Sequence, residues 1–148
     1  MASTYLSLHY HIVFSTKDRL PSISSEWRSR LHQYLGGLVK GLGGVPQAVG
    51  GVADHAHLLV GLKATHGLAD FMRELKKQAS VWVHTEIGAP RFAWQEGYAA
   101  FTVSPNSRTG VSGYIEHQEE HHRQKSFREE LIEMLQRAGV EYDERYLD

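Results

Sequence analysis

The pattern of this chain predicts an α+β fold of ferredoxin-like type: an antiparallel βαββαβ sheet with helices on one face, followed by further C-terminal helices. Three observations carry that expectation. An alternating run extends from Leu6 to Ser15, two segments with apolar residues at helical spacing each follow a strand, and an apolar run holds Asp54-His55-Ala56-His57-Leu58-Leu59-Val60.

In the first strand Leu6, Leu8, Tyr10, Ile12 and Phe14 share one face and Ser7, His9, His11 and Ser15 the other, so it reads as half-buried. Pro21 and the Ser22 to Ser25 cluster break it. Trp27, Leu31, Leu35, Leu38 and Leu42 then recur at helical spacing until Gly41, Gly43 and Gly44 stop the helix. A second strand is expected over Val45 to Val49. Gly50 and Gly51 supply a turn or bulge before the histidine strand, which runs from Asp54 to about Leu62. Thr65 is placed to cap a second helix with the buried stripe Leu68, Phe71, Met72, Leu75, Ala79, Trp82 and Val83, ending before Gly88 and Pro90. Phe92 to Ser104 reads as the fourth strand, interrupted near Glu96-Gly97 and closed by Pro105. Asn106 or Ser107 starts a third helix through about Gln124. Ser126-Phe127-Arg128-Glu129 is a capping-box pattern opening a fourth, whose stripe Leu131, Leu135 and Ala138 ends at Gly139, and the tail Val140 to Asp148 is left unassigned.

A composition of 41% hydrophobic and 22% charged residues over 148 positions fits one domain spanning residues 1–148 with a core of its own. Cysteine is absent, which excludes disulfides, thiolate zinc sites and zinc fingers and suits a cytoplasmic location. With no basic leader and no 18-residue apolar run, a soluble protein without membrane contact is expected. The net charge of -1 does not advertise nucleic-acid binding. Local basic groups are Lys17 and Arg19 after the first strand and Arg73, Lys76 and Lys77 on the second helix, each readable as ordinary solvated surface.

His55 and His57, two residues apart on a strand, point the same way, while Ala56, Leu58, Val60 and Leu62 face the core. Two imidazoles held on a rigid strand suit a divalent metal that lacks one or two further ligands. On the third helix Tyr114 and Gln118 lie one turn apart on one face. If that face meets the strand, the Gln118 amide oxygen joins a mixed nitrogen and oxygen site with open positions, suited to Mg²⁺ or Mn²⁺ bound to phosphate. Competitors stand close by. His9-Tyr10-His11 repeats the histidine spacing, and His117, His121 and His122 lie within two turns of Tyr114. Trp27 and Trp82 fit core stripes, whereas Trp94 reads equally as a packing residue or a base-stacking one.

Tyr10-His11-Ile12-Val13-Phe14, Asp54-His55-Ala56-His57-Leu58-Leu59-Val60 and Tyr114-Ile115-Glu116-His117-Gln118-Glu119 together resemble the single-tyrosine HUH transposases of the insertion-sequence-two-hundred family. The likeness spans nearly the whole chain. It implies that His55, His57 and Gln118 bind a divalent metal, Mg²⁺ or Mn²⁺, and that Tyr114 is the nucleophile, with His55 and His57 counted in the catalytic set. It further implies a single-stranded DNA substrate beside a hairpin, nicked and rejoined through a 5'-phosphotyrosine intermediate by a homodimer that needs no nucleotide cofactor. The tail from Glu141 onward resembles relatives associated with repetitive extragenic palindromes. Two other readings stand beside this one: a catalytically silent, domesticated hairpin-binding relative, and a metal phosphodiesterase in which water attacks.

Overall fold

Four strands, β1 (His9–Ser15), β2 (Val45–Gly51), β3 (His55–Gly61) and β4 (Ala99–Thr102), form one antiparallel sheet in the order β2-β3-β1-β4. With α1 (Arg28–Gly41) after β1 and α2 (Leu68–Trp82) after β3, the element order is the expected βαββαβ ferredoxin-like arrangement. The structure, a computed structural model, describes residues 3–122 and 124–147. The outer limits of the domain expected over 1–148, Arg123 within the expected third helix, and Asp148 closing the tail lie outside the described residues.

Strand β3 is central because its neighbours pair with both of its edges and nearly every residue along it is apolar or imidazole. Ile12, Phe14, Ala56, Leu58 and Val60 turn toward α1 and α2, where Leu31, Leu35, Val39, Phe71, Met72, Leu75 and Ala79 complete the main core. Each such side chain removed from water contributes roughly 1.5–3 kcal/mol. Tyr34 of α1 and Trp82 of α2 tie the two helices together by stacking at 4.9 Å.

The face opposite α1 and α2 is covered by the C-terminal elements α3 (Arg108–Glu116), α4 (Gln118–His121) and α5 (Phe127–Ala138). The reason lies in β1 and β3. Val13 and Leu59 are apolar on that second face, so the sheet has two hydrophobic sides to bury. Ile115 and Val111 of α3 close over Ala48, Leu59 and Val103.

Several boundaries depart from expectation. The first strand begins at His9, with Leu6 left 56% exposed, and it is buried on both faces rather than half-buried. Gly50 and Gly51 stay paired inside β2, opposite His57 and Ala56, and the register shift falls at Pro46/Ala48. Thr65 caps nothing: α2 begins after Gly67 without a side-chain cap. A π-helical turn, Val83–Ile87, prolongs α2 until Gly88 reverses the chain at φ 80°. Within the expected strand 92–104 only Ala99–Thr102 pairs continuously, because a turn at Gly97 (φ 88°) interrupts it. The preceding loop is held by the Thr16/Trp94 bridge and by two backbone bonds to Ser15 and Lys17. Trp94 packs edge-on against Phe14 and Phe92, so it belongs to the core. The third helix breaks at His117, whose backbone leaves helical geometry at φ -107° and ψ 29°, which separates α3 from α4. In α5 Ser126 is the N-cap as read, the Glu129 amide donating to its Oγ at 3.2 Å while its hydroxyl donates to the Glu129 carboxylate. Of its expected stripe Leu135 is buried, Leu131 is half-buried and Ala138 is exposed, while Phe127 and Glu130 are the other buried residues. Among the described residues no helix is long and apolar enough to cross a membrane.

Candidate active site

Pairing places the site. Because β1 and β3 are antiparallel neighbours with Val13 opposite His57 and Ser15 opposite His55, the rings of His11, His55 and His57 share the second face. Both β3 histidines are fully buried there. Asp54 accepts from His55 Nδ1–H at 2.7 Å, which turns Nε2 toward the C-terminal helices. His11 Nε2 and His57 Nδ1 are 2.7 Å apart, so His11 orients His57 in the same way and leaves its Nε2 facing α5. Thus the competing His9-Tyr10-His11 motif contributes one member, His11, which supports His57 rather than replacing it.

From the other side come Tyr114, Gln118, His122 and Glu130. Gln118 Oε1 accepts from His55 Nε2 at 3.1 Å and from His122 Nε2 at 3.0 Å. Glu130 Oε1 lies 3.1 Å from His57 Nε2, 3.3 Å from His122 Nε2 and 3.4 Å from His55 Nε2. Its second oxygen accepts from the Tyr114 hydroxyl and, at 3.2 Å, from Gln118 Nε2. All four residues singled out from the sequence, His55, His57, Tyr114 and Gln118, are therefore neighbours, with the Glu130 carboxylate among them.

Glu130 was not anticipated. Its signal in the sequence is a carboxylate three residues after Phe127 and four before Met134, which puts a charge on the inward stripe of an amphipathic helix. The other competitors separate clearly: His121 lies against the Tyr114 ring at 4.5 Å, and His117 points away, its Nδ1–H donating to the Gly113 carbonyl at 2.7 Å.

The electrostatics follow from burial and this convergence. Burial alone would raise Glu130, yet hydrogen bonds from His122, His55 and His57 hold its carboxyl well below the usual carboxylate range. Burial pulls His55 down, but its bonds to Asp54 and Glu130 and their charges outweigh that and raise it. His57, more deeply enclosed and facing two other imidazoles, is lowered to about 4. His11 drops to about 3 through burial and the neighbouring His57. Tyr114 is pushed well above an ordinary phenol by burial and by the adjacent Glu130 charge. His55, His57, His122 and Glu130 each offer one donor atom, all within 4.8 Å of one another, so these residues could hold a metal ion. Beside them opens a cavity of about 630 Å³ whose walls include His11, Tyr114, His121, Lys125 and Arg137.

Fold and site define a ferredoxin-like α+β protein in which a histidine-pair strand faces a tyrosine-bearing helix across a cation-competent cluster. The family model for IS200-like transposases matches residues 4–118, and this chain belongs to that family, whose members are DNA strand transferases acting in transposition. The transposase of insertion sequence element IS200 from Salmonella typhimurium strain LT2 is 28% identical over 124 residues, covering 80% of this chain and 81% of that protein. Its Salmonella typhi counterpart gives the same values. A Deinococcus radiodurans R1 crystal structure assigned as a transposase superposes with a TM-score of 0.64 at 25% identity, over 80% of this chain and 95% of that one. A REP-associated tyrosine transposase bound to a REP hairpin shares the fold, with a TM-score of 0.56 at 14% identity over 78% of this chain and 68% of that one.

Proposed function

We propose that this transposase nicks and rejoins single-stranded DNA beside a hairpin, with Tyr114 as nucleophile and His55, His57 and Gln118 as ligands of a divalent cation, Mg²⁺ or Mn²⁺. The observation that carries the reading is the convergence of the Tyr114 hydroxyl and the His55 and His57 Nε2 atoms on one carboxylate. The same Nε2 atoms, deprotonated, could hold a cation beside the Tyr114 hydroxyl, and that cation would present the site to a phosphodiester in place of the carboxylate. The neighbour that binds a REP hairpin supports the choice of substrate.

In this reading the Tyr114 oxygen attacks phosphorus, a phosphorus–oxygen bond to the phenol forms, and the bond to the 3'-oxygen breaks. The phenol gives up its proton as the bond forms, and the 3'-oxygen leaves and takes one up. Its later attack on the phosphotyrosine reverses the exchange at a new junction and returns the proton to the phenol. A bound divalent cation would act as Lewis acid and template, offsetting charge on the phosphate and the leaving oxygen. Asp54 and His11 hold the two imidazoles in the orientation that presents Nε2. Admission of a phosphodiester requires Glu130 to yield its place, since its carboxylate holds the Tyr114 hydroxyl.

The test is incubation with a single-stranded hairpin library and Mn²⁺, followed by mass spectrometry for a nucleotide on Tyr114. An adduct formed by the native chain and absent from Tyr114→Phe supports the reading. Cleavage that persists in Tyr114→Phe but stops in His57→Ala moves the assignment to a water-using phosphodiesterase, and hairpin binding without any adduct moves it to a silent binder. The proposal includes a homodimer, although Tyr114 meets the histidines of its own chain. Sedimentation that gives a monomer with and without hairpin DNA removes that part.

A further inference from the structure

The family match ends at residue 118, yet two of the groups that enclose the site, His122 and Glu130, lie beyond it. They come from separate pieces of chain, the end of α4 and the first turn of α5, and both meet β3. The geometry points to a four-donor site for a Zn²⁺-class cation made by His55, His57, His122 and Glu130, which fastens the C-terminal helices to the sheet. This rests on the reading of His55 and His57 as metal ligands and adds two donors that the family region does not contain.

Three of the donor–donor distances match it, and all four donor atoms lie within 4.8 Å of one another, close enough to draw in on one ion. Glu130 Oε1 stands 3.1, 3.3 and 3.4 Å from the three imidazole nitrogens. Two donors on one tetrahedral Zn²⁺, each about 2.0–2.1 Å from the ion, are held roughly 3.3 Å apart. Donor type favours it as well. Three imidazoles and one carboxylate suit zinc, cobalt and similar ions, whereas Mg²⁺ prefers an octahedral shell of oxygens and retains water. Orientation is already provided, because Asp54 and His11 occupy the far nitrogens of His55 and His57.

The set has a functional consequence. Four protein donors complete a tetrahedral ion and leave no position for a phosphate oxygen. At the same time Glu130 Oε2 keeps the Tyr114 hydroxyl and the Gln118 amide. The Zn²⁺ form is accordingly a closed one, distinct from the open site that strand transfer requires.

Co²⁺ titration of the full chain tests this by spectroscopy, independently of activity. The expected result is the intense visible absorption of four-coordinate Co²⁺, displaced by Zn²⁺. Glu130→Gln and His122→Gln should each weaken Zn²⁺ binding by about tenfold or more and leave only the weak bands of a six-coordinate ion. Circular dichroism checks that each variant is folded, and His122→Gln carries the test if Glu130→Gln is not. Weak six-coordinate bands identical in the native chain and the variants overturn the four-donor site while leaving His55 and His57 as ligands. No Co²⁺ binding by the native chain overturns both readings.

Discussion

The backbone of Ile115 in α3 rests against Gly50 of β2 so closely that a Cβ at Gly50 would collide with the Ile115 carbonyl oxygen. The preceding residue is Tyr114 and Gln118 follows within a turn, so this contact helps set how near the phenol and the amide come to the histidine strand. Gly50→Ala should lift α3 from the sheet and destabilise the chain by about 1–3 kcal/mol, with weaker Mn²⁺ binding in the folded fraction. Urea unfolding and Mn²⁺ titration measure the two effects. Native values for both would show that α3 is not seated through this approach.

The side chains of Asp54 and His11 hydrogen-bond to the far nitrogens of the β3 imidazoles. Asp54→Ala and His11→Ala are expected to lower divalent-metal affinity by about 10–100-fold each while the overall secondary structure persists. Isothermal titration with Mn²⁺ provides the measurement. Unchanged affinity in both variants would remove their orienting role.

Lys76, one of the basic residues on α2, spends its ammonium on the carbonyl oxygens of Gln95 and Gly97, both at 2.7 Å. It therefore braces the loop before β4. Lys76→Met should cost about 1–3 kcal/mol of stability and leave the salt dependence of DNA binding unchanged. Arg137 lines the cavity beside Tyr114, and Arg137→Ala should reduce that salt dependence by about one phosphate contact. A reversed outcome, with Lys76 controlling the salt slope, would place DNA on the α2 side.

Acid should weaken the metal-free fold. His57 and His11 are lowered from 6.5 to about 4 and about 3, so between pH 6.5 and those values the unfolded chain binds protons that the folded chain does not. Stability contributed by keeping them neutral is lost as pH falls through that window. Glu130 acts in the same direction, its contribution present above 4.5 and lost as pH falls through its depressed folded value. His55 opposes them: its raised pKa gives stability that is complete below 6.5 and disappears as pH rises through the folded value. His32, lowered to about 4 by burial and the nearby Arg28 charge, and His9, lowered by burial and Arg108, act in the same direction as His57 and His11, so four depressed imidazoles against one raised set the expected sign, a urea midpoint that declines from neutral pH toward pH 5. A midpoint that climbs on acidification would mean that His55 dominates.

Local pattern was enough for the framework. Alternation in β1 and β3, helical stripes from Trp27 and from Leu68, and the N-cap at Ser126 are carried by neighbouring residues, and each is visible in the chain as written. The pairing of His55 with His57, and of Tyr114 with Gln118, was legible for the same reason, since period and spacing alone put each pair on one face. The interruption of the fourth strand at Gly97 was legible from the Glu96-Gly97 pair, whereas the break at His117 was not, because backbone geometry there answers to what lies across the sheet.

What the sequence by itself determined is the order of the main elements and the core-facing sides of β1, β3, α1 and α2. Only the tertiary structure decided that α5 folds back over the second sheet face and sets Glu130, 73 positions beyond His57, among the imidazoles. A buried carboxylate is stable only where enough donors meet it, and such a meeting of β3, α3, α4 and α5 exists in space but in no stretch of the chain.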